Sequence, residues 1–126
     1  MDKNILEEAM VGDPRNRSNI PPALIEGLNL YAEQGVPLGS FLRAVVANDF
    51  LDAVARADEY SMRALPAVAW MVYQDLPCLC HGSRKVYKAW CAFRLAQRGG
   101  TEGDDLQAKA DKVSEAKREA IEWGRS

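Results

Sequence analysis

At 126 residues the chain has the length of one ordinary domain, enough to bury a core without disulfides or a structural metal. With 48% apolar and 27% charged residues its composition excludes general disorder, and its longest apolar run, the ten residues 64–73, is too short for a membrane span. The formal net charge of −2 is uneven: residues 1–81 carry five excess negative charges, residues 82–100 five positive charges and no acid, and residues 101–126 two excess negative charges.

The opening residues, MDKNILEEAM, place acids ahead of their apolar side chains and contain no apolar core of a leader, so a cytoplasmic location in a host cell is expected. Ile5 to Val11 suits about two helical turns, which Gly12-Asp13-Pro14 ends because proline disfavours helix in the residue before it. Residues 12–20 read as a mobile polar linker. Pro21-Pro22 then opens the first firm helix, since a proline in the first turn forfeits no hydrogen bond. Leu24, Ile25, Leu28, Tyr31 and Ala32 share one face of that helix, and Gly35 is placed to end it.

Ser40 is the expected cap of the next helix, Phe41 to Ala57, in which Leu42, Val46, Phe50 and Val54 recur every four residues. Either Asn48 or Asp49 could cap a new helix, so a break there stays open. Asp52 and Arg56 are four apart with the acid first, a favourable surface pair. Glu59 to Leu76 is apolar on nearly all sides and is expected to be the central, most buried helix, with Pro66 kinking it or marking its first turn and Pro77 closing it.

Gly82-Ser83 precedes the basic helix Arg84 to Arg98, with Ser83 as cap and Gly99-Gly100 as stop. Val86, Trp90, Phe93 and Gln97 share a face with Tyr87 beside it, which points the aromatics inward. The last helix, from Asp104 to Trp123, is solvated apart from a stripe of Leu106, Val113 and Ala120 seven residues apart; this stripe leaves a homodimer through the C-terminal helix open. The expected fold is all-α: a small single-domain bundle of about four core helices with further helices at both ends. In segments, residues 1–19 are a short helix and linker, 20–100 a helical core domain and 101–126 a charged C-terminal helix.

Chemistry-bearing residues are few. Cys78, Cys80, His81 and Cys91 are the only soft ligands, but structural zinc sites usually separate paired cysteines by at least two residues, and the chain holds one histidine. No metal or other cofactor is expected, and the three cysteines are read as reduced thiols. Nucleophilic catalysis would need a cysteine beside His81, and sequence adjacency does not supply that geometry. No phosphate-cradling glycine loop follows a strand. The chain is therefore not expected to be an enzyme.

The run IPPALIEGLNLYAEQGVPLGSFLRAVVANDFLDAVARAD, residues 20–58, resembles small helical proteins encoded by bacteriophages and prophages. Their pattern is a helix, then G-[IV]-P-x-G-S-F-L, then A-V-x-x-N-D and R-A-D. The likeness continues through PCLCHGSRKVYKAW and covers residues 20–92, with a single cysteine usual at the place of Cys80. It implies a phage or mobile-element origin and carries no activity to any residue. The leading expectation is an accessory protein that binds a host or phage protein, as an anti-CRISPR-like inhibitor of a host defence system would. The expected contacts are Arg84, Lys85, Lys88 and Arg94, with Asp49 and Asp52 as an acidic counterpart. The alternative expectation is a nucleic-acid-binding regulator using helix 84–98, in which Lys and Arg meet phosphates while an aromatic stacks on a base. A Cys/His zinc module is the third, and no membrane partner is expected.

Overall fold

A computed structural model describes residues 12–125, with side chains to residue 122; the helix expected at Ile5 to Val11 lies outside the described residues. Among them there are six α-helices, two short 3₁₀ turns and no strand, so the all-α expectation holds. The helices are α1 (Pro22–Gln34), α2 (Ser40–Val46), α3 (Phe50–Arg56), α4 (Glu59–Asp75), α5 (Arg84–Arg98) and α6 (Gly103–Arg125).

The segment ahead of α1 has more built structure than a mobile linker. Asn16 donates its N–H to the Asp13 carbonyl at 2.9 Å and its side chain caps a 3₁₀ turn at Arg17–Asn19. Arg17 pairs with Asp75 of α4 at 3.1 Å, the Arg15 guanidinium lies 4.8 Å from the Trp70 ring centroid, and Ile20 is buried. Composition hid this because the ties of Arg15 and Arg17 are made to α4, far away in the chain.

Helix α1 starts with Pro22 in its first turn and ends at Gly35, whose φ of 70° is the left-handed conformation that glycine adopts without strain. The glycine is needed for a second reason: a Cβ there would lie 2.6 Å from the Arg94 Cβ of α5. The cap of α2 is Gly39, and Ser40 is already helical with no capping side-chain bond, which corrects the cap expected at Ser40.

The helix expected over 41–57 is broken at the place the sequence left open. Asn48 takes a φ of 57°, and the Asp49 carboxylate accepts the Asp52 N–H at 3.2 Å to start α3. The break rotates the second half, so Leu42 and Val46 stay buried while Ala53 takes the inward position and Phe50 is 67% exposed. The stripe of four therefore does not continue across the two helices.

Asp58 caps α4 by accepting the Ser61 N–H at 2.7 Å, and Pro66 lies inside the helix. Ala64, Ala67, Val68, Met71 and Val72 face the core, whereas Tyr60 and Tyr73 point outward. The expectation that this helix is the most enclosed is thus corrected. The hub is α5, which packs against α1, α2, the turn at Cys78–Cys80 and the length of α6. Its Ser83 cap accepts the Val86 N–H at 3.1 Å, and Val86, Tyr87 and Trp90 are buried as expected, while Phe93 is only partly covered.

The core around this hub is unusual in its polar ties. Tyr31, fully buried, donates its hydroxyl to the Cys80 carbonyl at 2.6 Å and stacks on Tyr87 with centroids 5.3 Å apart. The Trp90 indole N–H donates to the Tyr31 carbonyl at 3.1 Å, and the Tyr87 hydroxyl accepts the Leu38 N–H at 3.0 Å. Buried polar groups are tolerated only when paired, and here the pairs join α1, the α1–α2 connection, the Cys78–Cys80 turn and α5. Of the stripe on α6 Val113 is buried while Leu106 and Ala120 are partly covered; Ala116 is buried beside it, and α6 packs against α5.

Candidate functional site

Charge alone suggested that the basic helix faces outward to a partner. The structure instead brings four of the six expected contact residues into internal ion pairs. Arg84, at the start of α5, reaches Asp49 at 3.0 Å and Asp52 at 2.8 Å, and Asp52 also accepts from Arg56 at 3.3 Å. The Arg84 hydrogen bond is the main reason the Asp52 carboxyl is held below the usual carboxylate range, with Arg56 adding to it. Lys85 pairs with Glu119 of α6 at 2.8 Å, which raises its ammonium above the ordinary lysine value.

Arg94, expected outside, is half-buried. Its guanidinium lies 4.8 Å from the Trp90 centroid and 5.9 Å from that of Phe93, and it donates to the Gln97 side chain at 2.8 Å. Its Nε is enclosed with no hydrogen-bond partner, so the side chain acts mainly as a lid over the aromatics. Lys88 is exposed and makes no ion pair among the described residues.

The soft-ligand cluster is dispersed by the fold. Cys78 is exposed, Cys91 partly covered and Cys80 buried against the Tyr31 hydroxyl. Burial pushes the Cys80 thiol up to about 12 and raises that of Cys91, which leaves both protonated at neutral pH. No group of three or more His, Cys, Asp or Glu side chains among the described residues is arranged to hold a metal ion.

A hollow of about 310 Å³, which no sequence motif marks, opens beside the His81-Gly82 loop. Its walls are Val45, Val46 and Asn48 at the end of α2, Ala69, Val72 and Tyr73 of α4, the His81-Gly82 loop, and Lys117, Ala120 and Ile121 of α6. Its position follows from the Asn48 turn, which ends α2 early and leaves space between α2, α4 and the last turns of α6. Asparagine is among the few side chains that occupy the left-handed region readily.

The lining of this hollow is about half polar, with Asn48, Tyr73, His81 and Lys117 set among the apolar side chains. Lys117 donates its ammonium to the His81 carbonyl at 2.7 Å, lying across Gly82, where a Cβ would come within 3.2 Å of its Nζ. No carboxylate among the described residues pairs with Lys117. Burial first, and the Lys117 charge second, hold the His81 imidazole below its ordinary value, so it is neutral at pH 7. A smaller, mainly apolar groove continues from the hollow through the shared residues Val45, Asn48 and Ala69 to Phe50, Ala53 and Leu65. Phe50 of the groove and Tyr73 and Ile121 of the hollow are exposed, Phe50 by 67%, and Leu51, next to Phe50 on α3, is 79% exposed.

Sequence reasoning missed this surface because the stripe of four assigned Phe50 to the core. The signal that could have found it is Asn48-Asp49: a break there turns Phe50 and Leu51 outward. No helix among the described residues is long and apolar enough to cross a membrane. Compared with protein-family models, curated proteins and solved structures, the chain matches none.

Proposed function

We propose that the protein works by binding another protein, without catalysis, and that the contact is the apolar surface formed by α3, α4 and the end of α6. The observation that carries this reading is that Phe50, Tyr73 and Ile121, large apolar side chains left in water, line a groove and hollow that share Val45, Asn48 and Ala69, with exposed Leu51 next to Phe50 on α3. Interfaces draw most of their energy from a few aromatic and aliphatic anchors seated in pockets, and clustered exposed apolar side chains are what such anchors look like before the partner arrives. The partner is accordingly a protein segment presenting apolar side chains.

The nucleic-acid alternative receives less support. A phosphate-binding helix needs uncompensated cations, and Arg84 and Lys85 are already matched by Asp49, Asp52 and Glu119. The aromatics of α5 that would stack on bases are held in the core or under Arg94. A homodimer through α6 is likewise less favoured, since the Val113 stripe faces α5. That the partner is a component of host defence, and the chain a phage-borne inhibitor of it, rests on the resemblance over residues 20–92.

The test is affinity capture from a bacterial lysate by three tagged forms: the native chain, the pair Phe50→Ser with Leu51→Ser, and Lys88→Glu with Arg98→Glu. A captured protein that the first pair loses and the second retains supports the reading. Loss confined to the charge-reversed form, or nuclease-sensitive capture that weakens steeply with salt, moves the interface to α5 and refutes it.

A further inference from the structure

We infer that the hollow between α2, α4 and α6 is a binding site for a small apolar carboxylate, seated with its carboxylate on Lys117 and its tail against Val45, Ala69 and Val72. This goes beyond the partner surface because it names a small-molecule ligand, for a hollow that Tyr73 and Ile121 of that surface also line.

Size is the first argument. A hollow of about 310 Å³ is at the small end of ligand pockets, which are mostly apolar with a few placed polar groups that orient the ligand. Charge is the second. Lys117 is half-buried, and a cation drawn partly out of water is costly unless paired, yet its bond is to a neutral carbonyl and no acid among the described residues reaches it. The contrast with Lys85 of α5 is direct: that lysine meets Glu119 of α6 at 2.8 Å. One ammonium proton of Lys117 is held by the His81 carbonyl, which fixes the group in place and leaves the others for a ligand. A docked anion would supply the missing charge in an environment where a charge-assisted hydrogen bond is strong.

The remaining lining fits a monoanion with an apolar body rather than a phosphate. Among the described residues one cation lines the hollow, with no arginine fork or second lysine to neutralise a dianion. Asn48 and Tyr73 add an amide and a phenol at its wall, and the neutral His81 ring adds no charge. Gly82 is part of the same device, since a side chain at that position would meet Lys117 Nζ and displace it.

His81 is the single histidine of the chain, so its ring proton signals report on the hollow without ambiguity in the intact protein. The experiment titrates the native chain with hexanoate, hexanamide, inorganic phosphate and the acetylated amide of glutamate. A saturable shift of the His81 signals with hexanoate is expected, with binding weaker by about tenfold or more for the other probes, as the loss of one charge-assisted contact or of the tail implies. Lys117→Met should reduce hexanoate affinity by about the same factor, while Lys117→Arg retains most of it. Because Lys117→Met also strips the His81 carbonyl of its donor, Asn48→Gly serves as a second variant: glycine accepts the positive φ at that turn, so the fold is kept while the amide is lost and hexanoate binding weakens. The inference is overturned if hexanoate gives no saturable shift, if hexanamide or phosphate binds as well, or if Lys117→Met leaves the affinity unchanged. Equal binding of the glutamate derivative also overturns it, by assigning the hollow to an acidic side chain of a protein.

Discussion

Replacing Tyr31 by phenylalanine keeps the ring in its stack on Tyr87 and removes one oxygen. That oxygen donates to the Cys80 carbonyl at 2.6 Å in a fully enclosed setting, and it is the side-chain tie between α1 and the Cys78–Cys80 turn. Two effects follow. A hydrogen bond is lost, and the carbonyl is left without a donor where water is excluded, which together cost about 1–3 kcal/mol. Total stabilities of domains are about 5–15 kcal/mol, so the change is a sizeable fraction of what holds the chain folded. For a chain of this length, about 2 kcal/mol converts to a fall in Tm of roughly 6–10 °C. With a urea slope of about 2 kcal/mol per molar, the midpoint moves down by about 1 M. Urea melts followed by tryptophan fluorescence measure this directly. Tyr73→Phe is the control, because that hydroxyl belongs to a side chain 69% exposed and its loss should leave the midpoint in place. A Tyr31→Phe midpoint equal to that of the native chain would show that the buried ties do not stabilise the fold, and the account of the core would be wrong.

Gly35→Ala should destabilise more than a surface glycine would, by about 2–4 kcal/mol, because a left-handed φ of 70° and a Cβ placed 2.6 Å from the Arg94 Cβ act together; a melt within error of native would refute the close approach of α1 to α5. Since the folded His81 binds its proton more weakly than the unfolded chain does, its contribution to stability is complete above the ordinary imidazole value of 6.5 and is lost as pH falls through the lower folded value. Urea midpoints taken from about pH 7 to about pH 5 should therefore drop further for the native chain than for His81→Gln. Thiol labelling under native conditions should modify Cys78 first, Cys91 slowly and Cys80 only on unfolding, in the order of their exposure; mass spectrometry of digested protein reads the order, and early labelling of Cys80 would contradict its burial.

Much of the fold was legible along the chain. The proline start and glycine end of α1, the Asp-led break after Ala47, Ser83 as a cap and the inward face of Val86 and Trp90 are local or periodic features. Local propensity and the 3.6-residue repeat act within a few residues, so they survive in the sequence. The site was much less legible. Asp49, Asp52 and Arg84 were each chosen for their charge, but nothing local could show that they would be spent on one another across gaps of 35 and 32 residues. Phe50 followed the stripe of Leu42 and Val46 in register and left it in space, because one residue at positive φ reorients everything after it.

The sequence by itself therefore determined the all-helical character, the ends of α1, the Ser83 cap and the inward face of Val86 and Trp90, since those follow from backbone geometry and the partition of side chains between water and oil. Only the tertiary structure decided that Arg84 and Lys85 are neutralised within the chain, that Lys117 meets no acid among the described residues, and that a hollow opens behind Asn48. Those outcomes depend on distances between residues far apart in the chain, which are fixed by how the helices pack.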